Sequence, residues 1–365
     1  MEEHAYLLLE NGHIYEGKAF GARKTAVAEL VFTTGMTGYI ETLTDPSYAG
    51  QIVVQTFPLI GNYGMINEDK EADVPALSGY IVKNPADVPS NFRSQGTLED
   101  WLIAKDIPGI KGIDTRALTK EIRVQGVMRG MIAHSKDLLD LELVRREDTE
   151  RTVERVSCRD WTYYGPKDAP LTIVLWDFGC KGNIIKELLL RGCQVILVPH
   201  SVSASEVLAA APDGVLLSNG PGDPQQNLDA ASELEKMLAT DIPIFGICMG
   251  HQVLALAAGH TTYKLKFGHR GANQPVKDLD SGRVYMTSQN HGYAVKISPD
   301  GLADSKETFF NVNDKTCEGL SYKNGLHRSV QFHPEGACGP KDTGYLFDQW
   351  IAFLKERKDA AKPGN

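Results

Sequence analysis

From Leu171 onward the chain repeats one rhythm, and few folds accommodate it. The apolar runs "LTIVLWDFG", "CQVILVPH", "GVLLSNGPGDP" and "IPIFGIC" alternate with the helix-like runs "GNIIKELLLRG", "SASEVLAAAP" and "ASELEKMLA". A run of strand length that is apolar on both faces belongs inside a covered sheet. A helix between successive strands is the crossover that parallel pairing requires. The pattern predicts an α/β domain over residues 171–358, a doubly wound and mostly parallel sheet. Ligands of such sheets sit at the carboxyl ends of the strands. Two glycine-rich turns, "SNGPGDP" and "GICMGHQ", fall at such ends.

The first half reads differently. Residues 1–155 are rich in β-branched residues and glycine, and predict a separate α+β, β-rich domain. "AYLLLENGHIYEG" reads as a hairpin turning at Asn11-Gly12. "VAELVFTTG" and "QIVVQTFPLIG" read as further strands. "TLEDWLIAKD" and "DTRALTKEIRVQG" read as helices, the second opened by Asp114 or Thr115 and closed by Gly126. Residues 137–155 predict one charged amphipathic helix. The aperiodic stretch 156–170 reads as a linker, and 359–365 as a polar tail.

Composition narrows the function classes. With 365 residues the length favours two domains. A net charge of −9 argues against non-specific nucleic-acid or anionic-membrane binding, both of which need clustered positive charge. The N-terminal "MEEHAYLLLENGH" has acidic early residues and a short apolar run, so neither a signal peptide nor a membrane span is expected. The six cysteines, at 158, 180, 193, 248, 317 and 338, have no metal-ligand spacing. No metal site is expected, and the cysteine usage fits a reducing cytoplasm.

"GICMG" has the glycine–x–nucleophile–x–glycine form of a strained strand-to-helix elbow. The glycines let the turn close. They set Cys248 at a helix N-terminus with its sulfur exposed, where the helix dipole favours the reactive thiolate. The amide of Met249 is placed to receive an oxyanion. A buried core cysteine on a βα turn is the bland alternative, and it leaves the two flanking glycines unexplained. A cysteine nucleophile needs a base and a group to orient it. "VQFHPEG" offers His333 and Glu335; in an extended segment kept so by Pro334, positions i and i+2 share a face. Taken alone, His-x-Glu is more often a solvated strand edge. In "SNGPGDP", Gly220 and Gly222 allow close backbone approach to an anion. "TSQNHGYAV" supplies Gln289, Asn290, His291, Gly292 and Tyr293, expected in a loop and suited to recognising an amide or amino-acid head group. No carboxylate stands beside His291 in sequence, so His333 is the expected base.

Together these motifs resemble the class I, or triad, glutamine amidotransferases over about residues 171–355. The resemblance implies a catalytic triad of Cys248, His333 and Glu335. "TGMTGYIETLTDPSYAGQIV", "FPLIGNYG", "GIDTRALTKEIRVQG", "DFGCKGNI" and "KFGHRGANQPVKD" extend the likeness. They look like the small subunit of carbamoyl-phosphate synthetase, so the resemblance spans nearly the whole chain. It implies a class I glutamine amidotransferase-like C-terminal fold, and an N-terminal domain of the swivelling β/β/α kind that closes one side of the site. It also implies glutamine-holding positions at Ser47, Gly220, Gly222, Met249, Gln252, Asn290, Gly292 and Tyr293. Met249 replaces the usual leucine, where only backbone and bulk matter. "HPEGACGP" departs from the usual "HPEASPGP" and puts Cys338 near the site. Gln274 stands where histidine is common.

The implied reaction hydrolyses the side-chain amide of L-glutamine through a γ-glutamyl thioester and releases ammonia. The chain has no phosphate loop of the G-x-x-x-x-G-K-[ST] kind and nothing resembling an ATP-grasp domain. No cofactor is therefore expected in this chain. The implied partner is a large subunit that uses ATP and Mg to make carbamoyl phosphate from bicarbonate, for pyrimidine and arginine synthesis. The resemblance gives that subunit its ammonia through an enclosed tunnel. A stand-alone γ-glutamyl hydrolase or cysteine peptidase would not need the first 140 residues. A purely scaffolding subunit would not need the cysteine and histidine.

Overall fold

The computed structural model describes residues 3–146, 151–299, 301–302 and 304–361. The chain divides into two compact units, Met1–Glu150 and Arg151–Asn365. The division falls a few residues before the expected end at 155.

In the first unit the chain runs β1 (His4–Leu9), β2 (Ile14–Gly21), β3 (Ala26–Thr33), α1 (Tyr39–Thr44), β4 (Gln51–Gln55), β5 (Leu59–Ile60), β6 (Gly79–Ile81) and β7 (Asn84–Pro85). It continues through α2 (Leu98–Ala104), β8 (Pro108–Lys111), α3 (Thr115–Gln125), β9 (Met128–Ala133) and α4 (Leu141–Arg145). Seven strands close a barrel in the order β1-β2-β8-β6-β4-β3-β9, which leaves no sheet edge open. Alternate strand residues supply its packing: Leu7 and Leu9, Ile52 and Val54 join Leu30, Ile110 and Ile132 in one buried cluster with Leu118 and Ile122 of α3. The β1–β2 hairpin turns at Asn11-Gly12 as read, with Gly12 at φ 88° and the Asn11 side chain accepting from the His13 amide at 3.0 Å. Asp114 caps α3 by accepting from the Ala117 amide at 3.0 Å, and Gly126 ends it at φ 108°.

The single helix expected over 137–155 does not form. Leu139 and Asp140 are extended, and the Asp140 carboxylate caps a new short helix by accepting from the Leu143 amide at 2.9 Å. Arg146 is extended again, and 147–150 lie outside the described residues. Asparate-type capping outcompetes continuation of the helix. The expected linker carries a short strand, whose three residues are too few to declare a period.

The second unit runs α5 (Thr152–Val156), β10 (Thr162–Tyr164), β11 (Leu171–Asp177), α6 (Gly182–Leu190), β12 (Cys193–Pro199), α7 (Ala204–Ala209), β13 (Gly214–Leu217), α8 (Leu228–Leu238), β14 (Ile244–Ile247) and α9 (Met249–Ala257). Then follow β15 (Thr261–Asp278), β16 (Val284–Lys296), β17 (Lys306–Asn311), β18 (Cys317–Tyr322), β19 (His327–Val330) and α10 (Tyr345–Ala360). The helix takes in the first two residues of the expected tail, and 362–365 lie outside the described residues. One ten-stranded sheet is ordered β10-β12-β11-β13-β14-β19-β18-β16-β15-β17. Its centre, β12-β11-β13-β14-β19, is parallel. The remaining strands pair antiparallel. Val174, Trp176, Val215, Leu217 and Ile244 pack on one face, and Ile173, Leu175, Leu216, Phe245 and Ile247 on the other. Burial on both faces is what the unalternated apolar runs required.

The segment Gln289–Tyr293 is not the expected loop. It lies inside β16, paired with β15 across register shifts between Lys264 and His269 and between Gly271 and Gln274. Its polar residues are tolerated in a strand because they bond to one another. Among the described residues, no helix is long and apolar enough to cross a membrane.

Candidate active site

The β14–α9 connection is as tight as the glycines predict. A Cβ on Gly250 would lie 2.4 Å from the Leu217 carbonyl oxygen, and one on Gly246 would lie 2.7 Å from the Gly250 carbonyl oxygen. Between them Cys248 adopts φ 54°, ψ −102°, a conformation that costs on the order of 1–3 kcal/mol for a residue with a Cβ. The turn is held by Cys248 N–H donating to the Val330 carbonyl and Gly250 N–H to the Ser218 carbonyl, each at 2.9 Å. Met249 opens α9, so its N–H has no acceptor within the helix.

The sulfur is not exposed as expected: Cys248 is only 2% exposed. Its Sγ contacts the Asn290 carbonyl at 3.8 Å, so β16 covers it. His333 and Glu335 are brought to it by a turn rather than by an extended segment. Gly336 N–H donates to the His333 carbonyl, which folds Glu335 back onto the imidazole. Pro334 suits a tight turn because its φ is fixed. His333 Nδ1 and Glu335 Oε1 are 2.6 Å apart, with both side chains 1% exposed. His333 Nε2 makes no hydrogen bond within the usual distance limits, and the Cys248 thiol is the group it faces. Imidazole–thiol contacts of this kind are often long while the site is empty of ligand.

Burial and the Lys181 cation oppose a charge on His333. The Glu335 carboxylate and the Cys248 sulfur outweigh them and carry the imidazole pKa to about 10. Burial raises Glu335, but His333 and Lys181 hold it down at about 2. Lys181 was not singled out from the sequence as a site residue. Its Nζ lies 3.4 Å from His333 Nδ1 and 3.6 Å from Glu335 Oε1. Its place between β11 and α6, at a strand's carboxyl end, was the available signal.

The loop after β13 lies at the same edge. Gly222 needs φ 85°, which disfavours a side chain there. Asn219 laces this loop to the one after β11: its Oδ1 accepts from the Lys181 amide at 3.1 Å and its Nδ2 donates to the Gly179 carbonyl at 2.9 Å. Gln252 is buried in α9, and its Nε2 donates to the Tyr293 carbonyl at 2.8 Å and to Gln331 Oε1 at 2.9 Å. The second unit thus gathers Gly220, Gly222, Cys248, Met249, Gln252, Asn290, Gly292, Tyr293, His333 and Glu335 on neighbouring connections and strands. Ser47 belongs to the first unit. It is buried in a short turn where Asp45 accepts from its amide at 2.9 Å. The Cys338 carbonyl accepts from Ser288 Oγ at 3.3 Å, and the Ser288 carbonyl accepts from the His333 amide at 2.9 Å.

Residues 7–132 match the model of the carbamoyl-phosphate synthase small chain, CPSase domain, and residues 174–353 match that of the class-I glutamine amidotransferases. The small chain of carbamoyl phosphate synthase from Staphylococcus haemolyticus is 48% identical, with both chains covered in full. This chain belongs to the carbamoyl-phosphate synthase small-chain family. Another similar protein is the pyrimidine-specific small chain of Bacillus subtilis, 47% identical over 96% of this chain and 95% of that one. The small chain of Fusobacterium nucleatum is 49% identical over 94% of this chain and 96% of its own length. The two matched regions of this small-chain family member fall one in each compact unit.

Proposed function

We propose that this chain is the glutamine-hydrolysing subunit of a carbamoyl-phosphate synthase, with Cys248 as its nucleophile. The observation that carries the reading is Cys248 in a strained turn at a sheet edge, facing an imidazole that a buried carboxylate orients.

In this reading the Cys248 sulfur attacks the side-chain amide carbon of L-glutamine. The carbonyl oxygen becomes an oxyanion, received by the Met249 amide and the backbone of the Gly220–Gly222 loop. His333 gives a proton to the amide nitrogen, the C–N bond breaks, and ammonia leaves a γ-glutamyl thioester. Water then attacks the thioester; His333 takes its proton and returns one to the sulfur as glutamate departs. Glu335 keeps the imidazole oriented and balances its charge. Lys181 restrains both, since its cation lowers Glu335 and opposes a second charge on His333. Gln252, Asn290, Gly292 and Tyr293 hold the amino-acid end of glutamine. No cofactor is needed for this step.

Ammonia then passes to a large partner subunit that uses ATP and Mg to convert bicarbonate to carbamoyl phosphate for pyrimidine and arginine synthesis in the cytoplasm. A low-dielectric path between the subunits keeps ammonia neutral and nucleophilic. The test is the complex with that subunit: glutamine consumption and carbamoyl phosphate output should rise together. Equal glutamine turnover with and without the partner, ATP and bicarbonate argues against the coupling.

A further inference from the structure

Beneath the glutamine segment of β16 lies a buried polar cluster that the proposed chemistry does not use. His269 Nε2 is 2.8 Å from Asp314 Oδ2, and its Nδ1 is 3.0 Å from Gln289 Oε1 and 3.5 Å from Glu318 Oε1. All of these partners are acceptors, so both ring nitrogens carry hydrogen and His269 is an imidazolium. Burial opposes that charge, but the bonds to Asp314 and Glu318 raise its pKa to about 9. Glu318 is wholly buried. Its Oε2 accepts from Gln289 Nε2 at 3.0 Å and its Oε1 from Asn311 Nδ2 at 3.2 Å. The Gln289 amide is therefore fixed in orientation, with its oxygen toward His269 and its nitrogen toward Glu318. The same oxygen sits 2.9 Å from His291 Nε2, and the Tyr293 carbonyl lies 2.7 Å from His291 Nδ1; burial keeps His291 neutral, so its single ring hydrogen serves one of these two oxygens and the other is a packing contact. The chain of contacts Asp314–His269–Gln289–His291–Tyr293 thus ends on the backbone that carries Asn290, Gly292 and Tyr293. The strand register reinforces it, because His269 pairs directly with His291 and Arg270 with Asn290.

We propose that His269 is a positioning residue for glutamine: clamped between Asp314 and Glu318, it fixes Gln289 and through it the backbone of residues 290–293 that receives the substrate's amino-acid end. This rests on the reading of the site as a glutamine site. A buried ion pair gives little net stability, whereas a fully satisfied one specifies a single geometry. The β15–β16 pair needs such a device because two register shifts in β15 loosen the pairing on either side of Gly271. His269, His291 and Glu318 also have ligand atoms within 4.8 Å of one another, as a metal site would. An imidazolium, however, has no lone pair to give, and the Gln289 oxygen already lies against one nitrogen of each ring.

The test uses the complex with the large subunit and the substitutions His269→Ala and Asp314→Asn. For His269→Ala the KM for glutamine should rise about tenfold or more, with kcat at saturation within about threefold of wild type. Alkylation of Cys248 by iodoacetamide should keep its rate, while inactivation by a diazoketone analogue of glutamine should slow by the same factor as KM. Asp314 is the half-exposed end of the cluster, and Asp314→Asn should raise KM about threefold. That milder variant carries the test if His269→Ala does not fold. A wild-type KM in both, or a loss confined to kcat, overturns the inference. So does one zinc per chain in the purified protein that His269→Ala removes. A wild-type complex that hydrolyses no glutamine overturns the reading of the site as well, whereas the outcomes above leave that reading standing.

Discussion

His333 Nδ1 and Glu335 Oε1 lie 2.6 Å apart in a pair from which water is excluded, with each side chain 1% exposed. The pair faces Cys248 on one side and Lys181 on the other. Opposite charges this close in a dry site hold both groups ionised, which is why the imidazole rises to about 10 and the carboxylate falls to about 2 against the cost of burial.

Replacing Glu335 with Gln keeps the shape and removes the charge. The imidazole loses the partner that selects its tautomer and supports its positive form. Glutamine-dependent kcat should fall by roughly two to four orders of magnitude, with KM little changed. Steady-state kinetics of the complex measures this, and a loss smaller than about tenfold would remove Glu335 from the triad.

Cys248→Ser should abolish glutamine-dependent carbamoyl phosphate synthesis and leave ammonia-dependent synthesis by the complex intact. The rate loss for removing such a nucleophile is on the order of 10⁴ to 10⁶. Assays with glutamine and with ammonium chloride on the same preparation separate the two routes. Retained glutamine-dependent synthesis contradicts the nucleophile assignment.

Gly250→Ala puts a methyl group 2.4 Å from the Leu217 carbonyl oxygen, a backbone atom with nowhere to go. Overpacking of this kind costs about 1–3 kcal/mol or more. The variant should unfold at lower urea and lose glutaminase activity disproportionately, because the displaced turn carries Cys248. Wild-type midpoint and activity would show the elbow to be more pliable than its packing indicates.

The His269 cluster has a pH signature. Its folded pKa, about 9, lies above the ordinary histidine value, so its contribution is fully present below about pH 6.5 and is lost as pH rises through about 9. Asp314, brought down to about 2 by His269 and the Thr316 bonds despite burial, stays charged throughout that window. Glu318 faces the same imidazole, its own pKa raised by burial against the pull of His269, and the buried His291 beside it stays neutral. The His269 shift corresponds to about 3 kcal/mol at most. The thermal stability gap between wild type and His269→Gln should be widest near pH 6 and narrow toward pH 9.5. A gap that does not vary with pH would mean that His269 is not held as a cation.

Much of this site was legible in the chain itself. The unalternated apolar runs specified a covered parallel sheet, because only burial on both faces explains them. The glycines around Cys248 specified a turn that no side chain permits. His333 and Glu335 were readable as partners, although the wrong local geometry was expected: the i, i+2 logic of a strand reached the pair that a turn forms. Local signals failed where long-range bonds decide. Gln289–Tyr293 looked like a loop because polar residues are rare in an inner strand, and the bonds that anchor Gln289 come from His269 and Glu318, 20 and 29 residues away. The helix expected over 137–155 had the right period, but Asp140 found a better use as a cap.

The sequence by itself determined the layered sheet, the cysteine elbow and the pairing of His333 with Glu335, since each depends on backbone sterics or on residues adjacent in the chain. Only the tertiary structure decided that the sulfur is covered rather than open, that Lys181 stands beside the His333–Glu335 pair, and that a buried imidazolium underlies β16. Those features arise from groups distant in sequence whose charges act on one another only after folding has removed the water between them.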